Sequence, residues 1–125
     1  MFSTGDQKGE IIQIPKGLDT SRDFQFEILW YATTAAAGNI DLRLIEGVLR
    51  LGNTINGTLP DTQQDVITAN LGQQILTKSV FSFKEPTVIP GDYLVFAYDR
   101  NAASDTYGGG VVIVGIRLTG VFWQG

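Results

Sequence analysis

The chain has 125 residues, 43% of them hydrophobic and 18% charged, which is material for one domain with an ordinary core. A net charge of −4 and a pI near 4.6, with Lys and Arg scattered, leave no basic footprint for nucleic acid or an anionic membrane. With no His and no Cys there is no disulfide, no thiol nucleophile, and no imidazole or thiolate to hold a transition metal.

Residues 1–9 carry few apolar groups and read as a flexible arm ahead of a single domain over 10–125. The polar opening, Met1 to Asp6, lacks a basic stretch followed by an apolar one, so no secretory signal is expected. The longest apolar run, at 108–116, falls short of the ~18 residues a membrane helix needs. A product of the cytoplasm is the expectation.

Period-two alternation recurs along the chain, and no segment holds a 3.6-residue apolar period. Ile12 and Ile14 begin the alternation. The polar run 19–23 could open a helical turn, but nothing extends it. Phe24, Phe26, Ile28 and Trp30 then share one face of a strand, with Gln25 and Glu27 on the other. After a turn at 33–39, Ile40, Leu42 and Leu44 alternate with Asp41 and Arg43. A parity slip at Glu46-Gly47 reads as a β-bulge that hands the apolar role to Leu49 and Leu51.

Asn56-Gly57 and Pro60-Asp61 mark 52–65 as a loop, followed by a short strand at 66–69. The segment 75–84 alternates Ile75, Thr77, Ser79, Phe81 and Phe83 against Lys78, Ser82 and Lys84. Pro86 and Pro90-Gly91 separate it from a strand at 93–100. A polar loop at 101–109 leads to the last strand, on which Val112, Val114, Ile116, Leu118 and Phe122 face one way. About eight short strands separated by turns predict an all-β chain, an antiparallel β-sandwich.

Several of these segments come in a recognisable order. Trp30-Tyr31-Ala32 ends an aromatic strand, small residues form the 33–39 turn, and Ile40 to Leu44 follows. Pro90-Gly91-Asp92-Tyr93-Leu94 enters a strand ending in Arg100, the polar loop 101–107 comes next, and 111–118 closes. Over about residues 24–118 this order resembles the small jelly-roll proteins of tailed bacteriophages, which serve as capsid cement or decoration proteins and as head domains of fibres. The resemblance implies a jelly-roll sandwich, no catalytic residues and no cofactor. It further implies a self-associating chain, a homotrimer, partnered by the major capsid protein at the capsid surface of a virion and made in the host cytoplasm. The alternative it implies is a receptor- or carbohydrate-binding head module of a tail fibre. Gly108-Gly109-Gly110 departs from the family, in which the loop often turns acidic just before the last strand.

Few side chains offer chemistry. Asp61 with Asp65, and Asp99 with Asp105, are the carboxylate pairs a glycosidase would need, but they sit in polar turn sequences with no apolar pocket to raise a pKa. Asp99, Asn101 and Asp105 offer hard oxygens, yet their spacing is not the regular 1-3-5 pattern with a closing Glu, and no metal site is predicted. Arg100 ends an apolar strand with Asp92, Asp99 or Asp105 in reach, so an ion pair that pins the loop is favoured over a ligand contact. Arg100, Asp105 and Tyr107 are thus the candidates for ligand contact or loop pinning. Tyr107, alone in its loop, is the natural exposed platform for a sugar ring. Trp30 reads as core, as does part of the Phe122-Trp123 pair. The glycine run lacks the strand–loop–helix setting and the Lys of a phosphate loop, and reads as a hinge. Asn56-Gly57-Thr58, a glycosylation triplet in form, reads as a turn.

Some strands are apolar on both faces. Leu29 and Tyr31 lie opposite the Phe24 face, Val95 and Ala97 opposite Leu94 and Phe96, and Val111 and Ile113 opposite Val112 and Val114. A two-layer sandwich buries one face per sheet. Leu29, Tyr31, Val95, Val111 and Ile113 are therefore expected to form a patch that subunit contact hides.

Overall fold

Alternation without helical periodicity leaves strand pairing as the way to bury one face while satisfying the backbone. The computed structural model, which describes residues 2–4, 6–52 and 62–122, follows that rule throughout. Seven strands form among the described residues, against about eight expected: β1 (Gln7–Gln13), β2 (Phe24–Ala32), β3 (Asn39–Leu49), β4 (Thr62–Ala69), β5 (Thr77–Phe83), β6 (Tyr93–Arg100) and β7 (Val111–Thr119). All pairs are antiparallel, in a four-stranded sheet ordered β1-β6-β3-β4 and a three-stranded sheet ordered β5-β2-β7. The pairing is nested: β3 with β4, β2 with β5 and β1 with β6, each pair enclosing the one before. Phe2 bridges Val111 outside them all.

The two sheets form a β-sandwich with the apolar rows between them. Phe24, Phe26, Ile28, Trp30, Phe81 and Phe83 come from one sheet; Ile40, Leu42, Leu44, Leu94, Phe96 and Tyr98 come from the other. The Trp30 indole N–H donates to Ser79 Oγ at 2.9 Å, so burying the largest side chain leaves no donor unmade. β5 alternates buried and exposed at every position from Thr77 to Phe83.

Five sequence expectations are corrected. Within the expected arm, Phe2 is instead buried against Tyr98, and β1 begins at Gln7. One large ring plugging the end of the core outweighs the polar company it keeps. β3 has no slip at Glu46-Gly47; its register runs unbroken against both neighbours, and Glu46 simply stays buried on the core side. β4 begins at Thr62, four residues before the expected start, because pairing to β3 continues through the polar residues.

The fourth correction concerns β7, where the register shifts so that Leu29 faces Gly115 and Trp30 faces Ile113. Val114 is the extra residue of a β-bulge and is exposed. The core face is therefore Val111 and Ile113 before the bulge, and Ile116 and Leu118 after it. Lastly, Phe122, expected on the apolar row of β7, is 44% exposed and bridges Leu18, while Trp123 lies outside the described residues, as do the turns at Asn56-Gly57 and Pro60-Asp61.

Candidate functional site

Three Arg–Asp pairs divide the carboxylates that the sequence left open. Each pair fixes a strand or a loop end. On the outer face of the four-stranded sheet, Arg43 of β3 grips Asp99 of β6 through both carboxylate oxygens, directly across the register. At the start of β6, Arg50 binds Asp92 through two nitrogens at 2.9 and 2.8 Å and also donates to the Thr87 carbonyl. The Arg50 guanidinium holds the Asp92 carboxyl below the usual carboxylate range. Arg100 ends β6 and finds Asp105.

That last pair is fully enclosed. Arg100 and Asp105 side chains are 1% and 0% exposed, and all five guanidinium N–H groups are used. Nε and Nη2 donate to Asp105 at 2.8 and 2.7 Å; the other bonds go to the carbonyls of Phe2, Gly109 and Tyr107. Asp105 in turn accepts from the backbone N–H groups of Asp41 and Tyr107. A saturated guanidinium has no hydrogen left for a ligand, so Arg100 and Asp105 pin the 101–110 loop.

Tyr107 overturns the expectation of an exposed platform, being 2% exposed. Its ring lies under the Arg100 guanidinium at 5.5 Å, and its hydroxyl meets Thr34 through the Thr34 N–H at 3.1 Å and Oγ1 at 3.0 Å. Nor is the glycine run a free hinge. The Gly109 carbonyl binds Arg100, and a Cβ at Gly109 would collide with the Tyr107 hydroxyl. Gly38, at φ +142°, lets the 33–39 turn meet the same loop; a Cβ there would sit 2.8 Å from the Thr106 carbonyl and the Tyr107 Cα. Gly38→Ala should therefore cost roughly 2 kcal/mol or more. The check is a lower urea midpoint with the m-value unchanged.

The proposed interface residues do not come together. Val111 is fully buried and Ile113 packs against the core, both on the inner side of β7, because the bulge sets their parity. Leu29 and Tyr31 lie on the outer face of the three-stranded sheet, and Val95 lies on the outer face of the four-stranded one. The five residues thus occupy three separate places.

Each outer face combines ion pairs with apolar side chains. Across the three-stranded sheet, Glu27 is held by Arg117 on one side and Lys78 on the other, and Gln25 meets Thr119. The Arg117 hydrogen bond lowers the Glu27 pKa. These rungs cross only part of the face: Leu29 and Tyr31 share it, and Val80 and Val114 are 39% and 56% exposed. On the four-stranded sheet the register aligns Ile11, Val95 and Gly47 in one row, Gly9, Ala97 and Ile45 in the next, and Tyr93 beside Leu49. The middle of this face is apolar and low, with Gly9, Gly47 and Ala97 at its centre, and Ile11 is 60% exposed on it.

Besides Glu46, sequence reasoning missed a second buried titratable group. Asp41 was an alternation partner on the solvent side of β3, but it is fully buried beneath the 101–106 loop, and neither carboxylate oxygen has a hydrogen-bond partner. Burial, together with the Asp65 and Asp105 charges, pushes its pKa up to about 6. Only the long-range placement of that loop reveals this, and no local sequence signal carries it. A carboxyl closed off from solvent is no general acid for a substrate.

Two clefts remain. One of about 530 Å³ lies between Ser3, Thr34 and the glycine run, with the saturated Arg100 at its base. Another of about 510 Å³ lies at the opposite end of β6, between Pro15, Pro86 and Pro90. No helix among the described residues is long and apolar enough to cross a membrane. No family model, no curated protein and no solved structure matches the chain.

Proposed function

We propose that this chain is a non-enzymatic structural protein of a virus particle, a jelly-roll cement protein that self-associates as a homotrimer and bridges major capsid subunits. The observation that carries it is the low apolar field around Val95, Gly47 and Ala97 on the outer face of the four-stranded sheet, with Ile11 60% exposed beside it. An exposed apolar sheet face is costly in water and is hidden when another copy covers it. A face flattened by glycine and alanine lets a second sheet or sheet edge approach closely.

The nested strand pairing supports the jelly-roll reading. It is one long antiparallel hairpin rolled into two sheets, and Phe2 bridges Val111 where a further strand would pair with β7. The capsid role rests on the resemblance carried by residues 24–118. The carboxylates Asp99 and Asp105 support a non-enzymatic reading, since each is bound to an arginine. Asp61 lies outside the described residues. The fibre-head alternative loses its sugar platform with the burial of Tyr107.

The purified chain should sediment at three times its 13.6 kDa mass and co-sediment with expanded capsid shells, raising their resistance to heat. Val95→Lys, on the apolar field, should shift the chain to monomer and weaken shell binding while leaving the unfolding midpoint of the monomer within about 0.5 kcal/mol of wild type. A wild-type chain that stays monomeric at high concentration overturns self-association. A trimer that ignores shells and binds host glycans moves the role to the fibre.

A further inference from the structure

The chain carries a buried carboxylate that the proposed function does not use. Asp41 is 0% exposed, and both of its oxygens lack a hydrogen-bond donor, though its own N–H donates to Asp105 and its carbonyl accepts from Asn101. A buried anion with no donor and no countercharge at contact is strongly disfavoured. A proton or a cation must join it.

The groups facing it select between these. From β4, Asp65 reaches Asp41 and adds negative charge; from the loop, Asp105 does the same. Asp105 is committed to Arg100; the Arg43 charge pulls the other way, but its guanidinium is bonded to Asp99 and donates nothing to Asp41. Among the described residues no group of three acidic side chains is placed to hold a metal ion. Asp65 is exposed, and its Oδ2 accepts from Asn101 Nδ2 at 3.1 Å, so it bridges solvent, Asp41 and the loop.

We infer that Asp41 holds a proton beneath the 101–107 loop, with Asp65 beside it as the acceptor, and that this acid pair is a pH-operated latch on that loop. With the proton in place, the Asp41 hydroxyl donates to an Asp65 oxygen, and Asp65 stays bound to Asn101. When the proton leaves to solvent, two carboxylates face each other at the root of the loop. The loop then loosens, taking with it the contacts that join Thr106 and Tyr107 to Asn39.

The pKa of Asp41 is higher in the folded chain, about 6 against 3.8, so the folded state binds the extra proton between those values. The stability from this pair is full below about pH 3.8 and is lost as pH rises through about 6. It corresponds to up to about a hundredfold in the folding equilibrium. The chain has no His, the side chain whose ordinary titration would overlay this window.

The test is urea unfolding of the full chain from pH 5 to 7.5, with amide exchange of the 101–107 loop read alongside. Wild type should lose stability as pH rises, and its loop amides should exchange faster relative to β2. Asp41→Asn, which keeps shape and removes the charge, should flatten both profiles; Asp65→Asn should make them shallower, since burial alone still raises the Asp41 pKa. Identical pH profiles for wild type and both variants overturn the latch. So does a saturable rise in the wild-type midpoint with millimolar CaCl2 at pH 7.5 that Asp41→Asn abolishes, which would make the pair a cation site.

Discussion

Arg100→Met is expected to lower the unfolding free energy by about 3–5 kcal/mol, a large share of the stability of a domain this size. The side chains are similar in length, so little packing changes. What changes is that Asp105, 0% exposed, loses its only bound guanidinium and is left between two backbone N–H donors with no countercharge. The carbonyls of Phe2, Tyr107 and Gly109 lose donors in the same step. Arg100→Lys keeps the charge but cannot make the two-pronged grip and three carbonyl bonds together, so it should fall between Met and wild type. Pairing Arg100→Met with Asp105→Asn should recover part of the loss, because the dominant cost is an isolated buried charge. Urea midpoints at constant m-value read all three. An Arg100→Met protein within about 1 kcal/mol of wild type would mean that the loop is not built on this ion pair.

Arg100 also shows how much of the fold was legible. An arginine closing an apolar strand and followed by a polar loop signals a pinning contact, and the sequence offered Asp92, Asp99 and Asp105 as partners. The structure gives each to a different arginine: Asp92 to Arg50, Asp99 to Arg43, and Asp105 to Arg100. Local spacing could not choose between them, since the first two pairs depend on which strands are neighbours. The strands themselves were readable wherever one parity is apolar and the other polar, as in β2 and β5.

Legibility failed where both parities are apolar. Val111-Val112-Ile113-Val114 offers two equally greasy faces, and the tie is broken by the bulge opposite Leu29 and Trp30. A neighbouring Gly115 was the available signal. The same signal misled at Gly47, where the strand runs straight and Glu46 is buried. Phe2, Tyr107 and Asp41 share one cause: a residue in a polar stretch is buried by an element far away in sequence. Arg100 itself covers two of them, through the Phe2 carbonyl and the Tyr107 ring.

The bulge makes the second large effect a test of the whole core assignment. Phe26 is fully buried at the centre of an aromatic cluster, with Phe24 and Phe83 at 6.1 and 6.0 Å from its own sheet. Phe96 reaches it from the opposite sheet at 4.7 Å, so Phe26 joins the two layers. Phe26→Ala should cost about 3–5 kcal/mol, since the removed ring leaves a cavity between rigid sheets that cannot collapse. Phe26→Leu refills most of that space and should cost far less. On β7, Val111→Ala should be clearly destabilising, whereas Val114→Ala should stay within about 0.5 kcal/mol of wild type. A core face running through Val112 and Val114 predicts the reverse order for those two valines. Unfolding free energies for the four variants therefore separate the bulged strand from the regular one: a Val114→Ala loss exceeding that of Val111→Ala would place the register shift elsewhere and move Val111 and Ile113 out of the core.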